Sequence, residues 1–286
     1  MEGSTVTYRI HENQIINMDC VQGMRTLPDD IIPLTVTSPP YDDLRTYDGL
    51  AEWDFMDVAN ELYRITMPGG VVVWVVQEQI KNGSESGETS RQRLAFANIG
   101  FRLHHTMVME KLGGHQHSKG RYGGSLEYAF ILSKGKPRYF CPLNDKPNKE
   151  AGRTKVFMNR RRDGSFAPKK KAKVHPYGFR SAVWPYATGK NNTAKEDYAF
   201  EHPALMPEKM AEDFILSWSK VGDLIFNPFA GGGTAMKMAL LNHRRYLGFE
   251  INPKYVEIAQ RRLKEAEATM AERIRKGIVD EDRRTA

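Results

Sequence analysis

The pattern that most restricts the fold is a strand, a helical face and a second strand packed into fewer than fifty residues. Residues 31–37 (Ile-Ile-Pro-Leu-Thr-Val-Thr) form a short apolar run that stops at Ser38. Residues 71–76 form a nearly unbroken β-branched run directly after Pro68-Gly69-Gly70, a turn signal. Runs of this kind suit buried strands. Between them, residues 52–67 place Phe55, Val58, Leu62 and Ile65 on one helical face. Strand, helix, strand implies a parallel crossover, so the chain reads as α/β.

The same alternation returns near the carboxyl end. Residues 207–218 carry Met210, Phe214 and Ile215 on one helical face, and residues 223–226 read as a strand running into a glycine loop. Residues 234–241 read as a helix and 245–250 as the next strand. Pro253 opens a long helix, at the first position where proline is tolerated, with Val256, Ile258, Ala259 and Leu263 facing inward. Residues 101–110 and 126–132 read as two strands of a hairpin joined by a glycine-rich loop. Residues 81–93, polar and glycine-containing, read as a mobile loop. Residues 145–192 have few aliphatics and no period, and read as an insertion that orders on a partner.

Charge singles out that insertion. Residues 146–195 hold fourteen Lys or Arg against two acids, net +12, whereas the whole chain is +7 and its remainder therefore −5. A basic block of this kind suits a polyphosphate partner, because neutralising phosphates releases condensed counterions. Two cysteines, Cys20 and Cys141, make neither a disulfide framework nor a metal cluster. His104 and His105 are adjacent on a predicted strand and should alternate faces, so no metal is expected. No apolar run is long enough to cross a bilayer. The polar first eleven residues lack a signal-peptide core. The chain is therefore expected to be cytoplasmic and not membrane-bound.

Two loops carry the chemistry. Thr37-Ser38-Pro39-Pro40-Tyr41 leaves the first strand, and Asn227-Pro228-Phe229-Ala230-Gly231-Gly232-Gly233-Thr234 leaves a later one. A glycine run between a strand and a helix lets backbone amides approach a ligand. The following strand ends in Glu250, about twenty residues on, where nucleotide-binding folds place an acid that grips ribose hydroxyls. The spacing is not that of a dinucleotide fingerprint, so a dehydrogenase fits poorly. Ser38 Oγ and the Pro39 carbonyl are hydrogen-bond acceptors, and the two prolines stiffen the loop while removing N–H groups.

Together these stretches resemble the beta class of DNA amino-methyltransferases: catalytic loop first, cofactor loop second, basic segment between. The resemblance spans about residues 18–263, leaving out the basic insert. It implies a Rossmann-like methyltransferase fold, a mostly parallel sheet with an antiparallel hairpin, and S-adenosylmethionine as methyl donor. By resemblance, Ser38, Pro39, Pro40 and Tyr41 hold the target amine and base. Asp19, Cys20, Phe229, Ala230, Gly231, Gly233, Thr234 and Glu250 hold the cofactor, and residues 202–207 lie beside it. The absence of a Pro-Cys dipeptide argues against carbon-5 cytosine methylases.

The resemblance also divides the chain into a catalytic half (1–133), a target-recognition insert (134–198) and a cofactor-binding half (199–286). Candidate DNA contacts are Arg45, Lys119, Arg121, Arg160, Arg161, Arg162, Lys169, Lys170, Lys171 and Arg180. Asn159, Asn191 and Asn192 are candidate readers of adenine edges. Tyr177, Phe179, Trp184 and Tyr186 are candidate stacking or wedging groups, although Trp184 is read rather as part of the insert's own small core. The partner implied is double-stranded DNA with a specific short site; a homodimer and a bacterial or phage origin are family expectations. Whether a restriction endonuclease accompanies the chain is not legible. Ser at the first motif position is commoner among cytosine-N4 enzymes and Asp or Asn among adenine-N6 enzymes, yet adenine enzymes with Ser also occur, so both bases stay open. The rivals are a nucleic-acid binder on an inactive methyltransferase scaffold and an RNA methyltransferase.

Overall fold

The computed structural model describes residues 12–40, 53–112, 120, 122 and 126–276. Tyr41, Arg45, Lys119 and Arg121 lie outside the described residues. The chain divides into two compact units: Pro142–Ala182, and the remainder, Met1–Cys141 with Val183–Ala286.

The larger unit is a sheet with helices on it. Its first elements are β1 (Gln14–Asn17), α1 (Cys20–Arg25), β2 (Ile32–Thr37), α2 (Phe55–Ile65) and β3 (Thr66–Val76). Then come β4 (Ile80–Lys81), β5 (Ser84–Glu85), α3 (Glu88–Ile99), β6 (Arg102–Leu112) and β7 (Leu126–Ser133). The smaller unit contributes β8 (Lys146–Pro147), β9 (Thr154–Phe157), β10 (Lys170–Lys173) and β11 (Tyr177–Gly178). The larger unit resumes with β12 (Val183–Ala187), a 3-10 turn (Asp197–Glu201), α4 (Glu208–Trp218), β13 (Leu224–Asn227), α5 (Thr234–Leu241), β14 (Arg245–Glu250) and α6 (Pro253–Arg275).

Among the described residues the main sheet has eight strands in the order β1-β14-β13-β2-β3-β7-β6-β12. Neighbours pair in parallel except β7, which is antiparallel to both β3 and β6. The expected mostly parallel sheet with one antiparallel hairpin is therefore present. The central strands β2 and β3 are buried on both faces along nearly their whole length, which is why they lack polar alternation. The core gathers Trp74, Phe96, Phe226 and Phe249, all essentially unexposed. Each such side chain contributes roughly 1.5–3 kcal/mol by leaving water.

Two expectations are corrected. Residues 81–93 are not a loop: Asn82 and Gly83 both take positive φ (53° and 76°) and turn the tight β4–β5 hairpin, the geometry a two-residue Asn-Gly connection favours. Glu78 then accepts hydrogen bonds from Ser86 Oγ (2.6 Å) and the Gly87 N–H (2.8 Å) at the start of α3. Burial pushes its carboxyl up, but those bonds and one from Thr89 outweigh it, so its pKa is lowered. The second correction concerns Trp184 and Tyr186. They sit on β12, paired with β6 in the main sheet, and both are buried, so neither stacks on or wedges a duplex. Trp184 lies 5.2 Å from the Phe214 ring of α4, in the larger unit's core rather than in a core of the insert.

Candidate active site

Connections from β13 run through α5 to β14 on one side, while β2 runs through α2 to β3 on the other. Neighbouring strands whose crossovers depart in opposite directions leave a crevice at their carboxyl ends, the place where open α/β sheets bind ligands. The two motif loops leave from these two strands. Their junction is fixed by a buried hydrogen bond: Thr37 Oγ1 donates to Asn227 Oδ1 (2.7 Å), which also accepts the Phe229 N–H (3.0 Å).

A cavity with an empty volume of about 1030 Å³, its mouth included, opens there. Asp19, Cys20, Ser38, Pro39, Pro40, Phe229, Ala230, Gly231, Thr234 and Glu250 line it, so ten of the sequence candidates meet in one place. His202, Ala204, Leu205 and Met206 close another side. Gly233 stands behind the lining as the N-cap of α5 with φ 76°, and a Cβ there would approach Ala259 Cβ to 2.7 Å. A Cβ on Gly232 would meet Leu205 Cδ2 at 2.6 Å. Glycine at position 233 is thus required by its positive φ and by close packing against Ala259 behind the loop.

The polar groups are ordered before any ligand arrives. Glu250 accepts the Gly231 N–H on Oε2 (2.8 Å) and the Asn252 N–H on Oε1 (2.9 Å). Burial raises its pKa above the ordinary carboxylate range, and the amides of Asn252, Gly231 and Ile251 oppose that rise only in part. Asp19 caps α1 by accepting the Gln22 N–H (2.9 Å). Burial raises the neighbouring Cys20 thiol to about 12, with Asp19 adding to the rise, so Cys20 is a neutral wall and not a nucleophile. Pro39 is buried, and Ser38 and Pro40 are half-buried at the mouth.

A second cavity adjoins the first. Ser38, His202, Ala204, Leu205 and Met206 belong to both, and Val75, Lys111, Glu127, Thr188 and Met210 line only the second. Ser38 therefore stands between two spaces, as transfer between two bound groups requires.

Sequence reasoning missed Trp53, Asn252 and Tyr255 as lining residues. Trp53 follows the catalytic motif without a pattern of its own and packs its ring 5.2 Å from Phe229. Asn252 was legible as the residue before Pro253: its side chain caps α6 by accepting the Lys254 N–H (3.0 Å).

In the smaller unit, Arg160, Arg161, Arg162, Lys169, Lys170 and Lys171 are exposed, as are Tyr177 and Phe179. Two short antiparallel pairs, β9 with β10 and β8 with β11, give it its form. Arg180 is occupied within the unit by a bidentate pair with Asp145 (2.7 and 2.5 Å). Among the described residues no group of three or more metal-ligating side chains gathers, and no helix is long and apolar enough to cross a membrane.

The chemistry of the lining fits the donor that the sequence implies. Carboxylates at Asp19 and Glu250 suit hydroxyl and amine donors, backbone amides of the glycine run are close by, and Phe229, Leu205, Met206 and Trp53 supply apolar walls. Comparison with known proteins agrees. A family model described as DNA methylase, of N6/N4 type, matches residues 32–261. The orphan methyltransferase M.BamHII of Bacillus amyloliquefaciens is 47% identical over 82% of this chain and 90% of its own. The DNA adenine methyltransferase YhdJ of Escherichia coli is 24% identical, over 92% of this chain and 86% of its own. Among solved structures, the cytosine-N4-specific PvuII DNA methyltransferase superposes with a TM-score of 0.62 at 17% identity, covering 91% of this chain and 93% of its own. A DNA modification methylase of Thermus thermophilus, complexed with S-adenosyl-L-methionine, superposes at 0.54 with 21% identity, covering 87% and 93%. At those identities the solved structures speak for the fold.

Proposed function

The chain belongs to the N6/N4 DNA methylase family, S-adenosylmethionine-dependent DNA amino-methyltransferases, and from that premise we propose that it methylates an exocyclic amine presented to Ser38 and Pro39. The observation that carries this reading is the meeting of the two motif loops, tied by Thr37 and Asn227, around one cavity. When bound, S-adenosylmethionine would supply an electrophilic methyl group and leave as the neutral thioether S-adenosylhomocysteine, while the amine gives up one hydrogen as a proton. Glu250 and Asp19 would hold the donor, with Glu250 kept in place by the Gly231 N–H. Phe229 and Trp53 exclude water on the apolar side.

An exocyclic amine is a poor nucleophile while its lone pair is delocalised into the ring. Ser38 Oγ and the Pro39 carbonyl would accept its two hydrogens, drawing the nitrogen toward tetrahedral geometry and freeing its lone pair to act as nucleophile. Pro39 and Pro40 keep the loop rigid and offer no competing N–H. The amine is otherwise paired in duplex DNA, so the target base leaves the stack and enters the second cavity beside Ser38. The base is adenine or cytosine. Arg160, Arg161, Arg162, Lys169, Lys170 and Lys171 supply phosphate contacts to a specific duplex site.

Replacing Ser38 by Ala tests the amine contact. It lowers kcat about 100-fold, the scale of losing one aligned hydrogen-bonding partner of the reacting group, and leaves the calorimetric Kd for S-adenosylmethionine unchanged. An unaltered methylation rate contradicts the proposed contact.

A further inference from the structure

We propose that Arg262 is a positioning residue for the methyl donor: from α6 it fixes the glycine loop and the segment 202–207 in one register, so that the donor cavity is shaped before the donor enters. The inference rests on the cofactor reading above and goes beyond it, since Arg262 lines neither cavity.

Arg262 is among the largest side chains with no exposure at all. Its Nη1 donates to the Gly232 carbonyl (2.5 Å) and to Thr234 Oγ1 (3.0 Å), which are the glycine loop and the first residue of α5. Its Nη2 donates to Glu208 Oε1 (2.7 Å) and its Nε to Glu196 Oε2 (3.3 Å). Lys237 of α5, itself buried, also reaches Glu208 (2.6 Å) and pairs with Glu196. Two buried cations and two half-buried carboxylates thus form a neutral quartet. Glu196 feels it: burial pushes its carboxyl up, yet Lys237 and Arg262 bring its pKa below the ordinary value.

A buried ion network is poor evidence of net stability, since well-packed apolar groups often serve as well or better. Its geometry shows what else it does. Glu196 and Glu208 bracket the segment that gives His202, Ala204, Leu205 and Met206 to both cavities. The same guanidinium that holds those two acids holds the Gly232 carbonyl, and Leu205 packs directly on Gly232, its Cδ2 2.6 Å from where a Cβ would stand. Only a planar fork of donors serves four acceptors in different directions; a lysine ammonium does not replace it.

The decisive variants are R262M/E208Q, which keeps the buried cluster neutral, and R262K, which keeps the charge but loses the fork. For each, thermal unfolding, calorimetric binding of S-adenosylmethionine, and steady-state methylation of DNA are measured beside the wild type. The inference expects R262M/E208Q to unfold near the wild-type temperature while Kd and KM for S-adenosylmethionine rise on the order of tenfold, the size that outer supporting hydrogen bonds reach at other sites. It expects KM for DNA, and kcat at saturating donor, to stay put. R262K is expected to show the same rise in donor KM. Wild-type donor affinity in either variant overturns the inference, because charge balance or bulk packing would then be all that Arg262 supplies. Failure of the wild type itself to bind S-adenosylmethionine overturns the cofactor reading first, and the inference with it.

Discussion

The donor cavity and the unit Pro142–Ala182 are built on opposite principles. Around the cavity, polar groups are buried and satisfied: Glu250 by two amides, Asn227 by Thr37 and Phe229, Arg262 by a carbonyl, a hydroxyl and two carboxylates. In the smaller unit both strands of the β9–β10 pair are exposed throughout, and Lys170, Lys171 and Lys173 stand on one of them. A two-stranded ribbon without a covered face is marginal in water. One region therefore holds geometry in advance, as catalysis demands, and the other leaves its basic side chains exposed to solvent.

Trp184 breaks or sharpens that contrast most strongly, because it follows the basic unit in sequence but packs in the larger core. Trp184→Ala lowers the stability of the larger unit by about 3–5 kcal/mol, the usual cost of emptying a large aromatic site, read as a shift in the denaturant midpoint. A loss below about 0.5 kcal/mol, the level of a surface change, places Trp184 outside the rigid region.

Next is Gly233→Val. With φ at 76° and Ala259 Cβ 2.7 Å from the new Cβ, the loop has to move. Affinity for S-adenosylmethionine falls about 100-fold, roughly 2.7 kcal/mol, and an unchanged calorimetric Kd contradicts the preformed cavity.

Third comes the exposed region. Replacing Arg160, Arg161 and Arg162 together by Ala weakens duplex binding and lowers the slope of log affinity against log salt by up to about 3, near 0.9 for each phosphate no longer neutralised. Donor affinity is unaffected. Equal slopes in variant and wild type remove these arginines from the interface.

The smallest effect is that of pH on Glu250. Its pKa is raised from 4.5, chiefly by burial. The native state holds this proton more tightly than the unfolded chain, so the group's contribution to stability falls as pH climbs from 4.5 through the raised value. Donor hydroxyls prefer the charged carboxylate, so affinity for S-adenosylmethionine falls a few-fold as pH drops through that same value. Glu250→Gln flattens the profile. A wild-type profile that is already flat assigns the ribose contact elsewhere.

The same contrast explains what was legible in the sequence. The helix Thr234–Leu241 and the strand Arg245–Glu250 were read at their observed bounds, because a glycine run, an apolar period and Pro253 all mark them locally. Both sheet strands that went unread, β1 and β12, are the edges of the main sheet. Gln14–Asn17 is only four residues long, with polar residues at both ends, and Val183–Ala187 carries Pro185 in its middle, which an edge strand tolerates because its N–H side need not be paired. Helix α3 was hidden for a different reason: only Thr89, Gln92 and Phe96 are buried on it, and Gln92 earns its place through a hydrogen bond from the Trp74 indole (2.9 Å) rather than through apolarity. Eight of the ten cavity residues sit at the ends of strands legible in the sequence, whereas Asp19 and Cys20, after the unread β1, came from the family resemblance alone. Arg262 was not, because one of two adjacent arginines on a charged helix looks solvated until its partners are seen.

The most direct test of amine methylation is nucleoside mass spectrometry on DNA from a methylation-deficient host expressing this chain, beside a host expressing Pro40→Ala. The account predicts N4-methylcytosine or N6-methyladenine with the wild type, which also names the base, and a strongly reduced mark with the variant. Neither mark, from folded protein that binds S-adenosylmethionine, contradicts it.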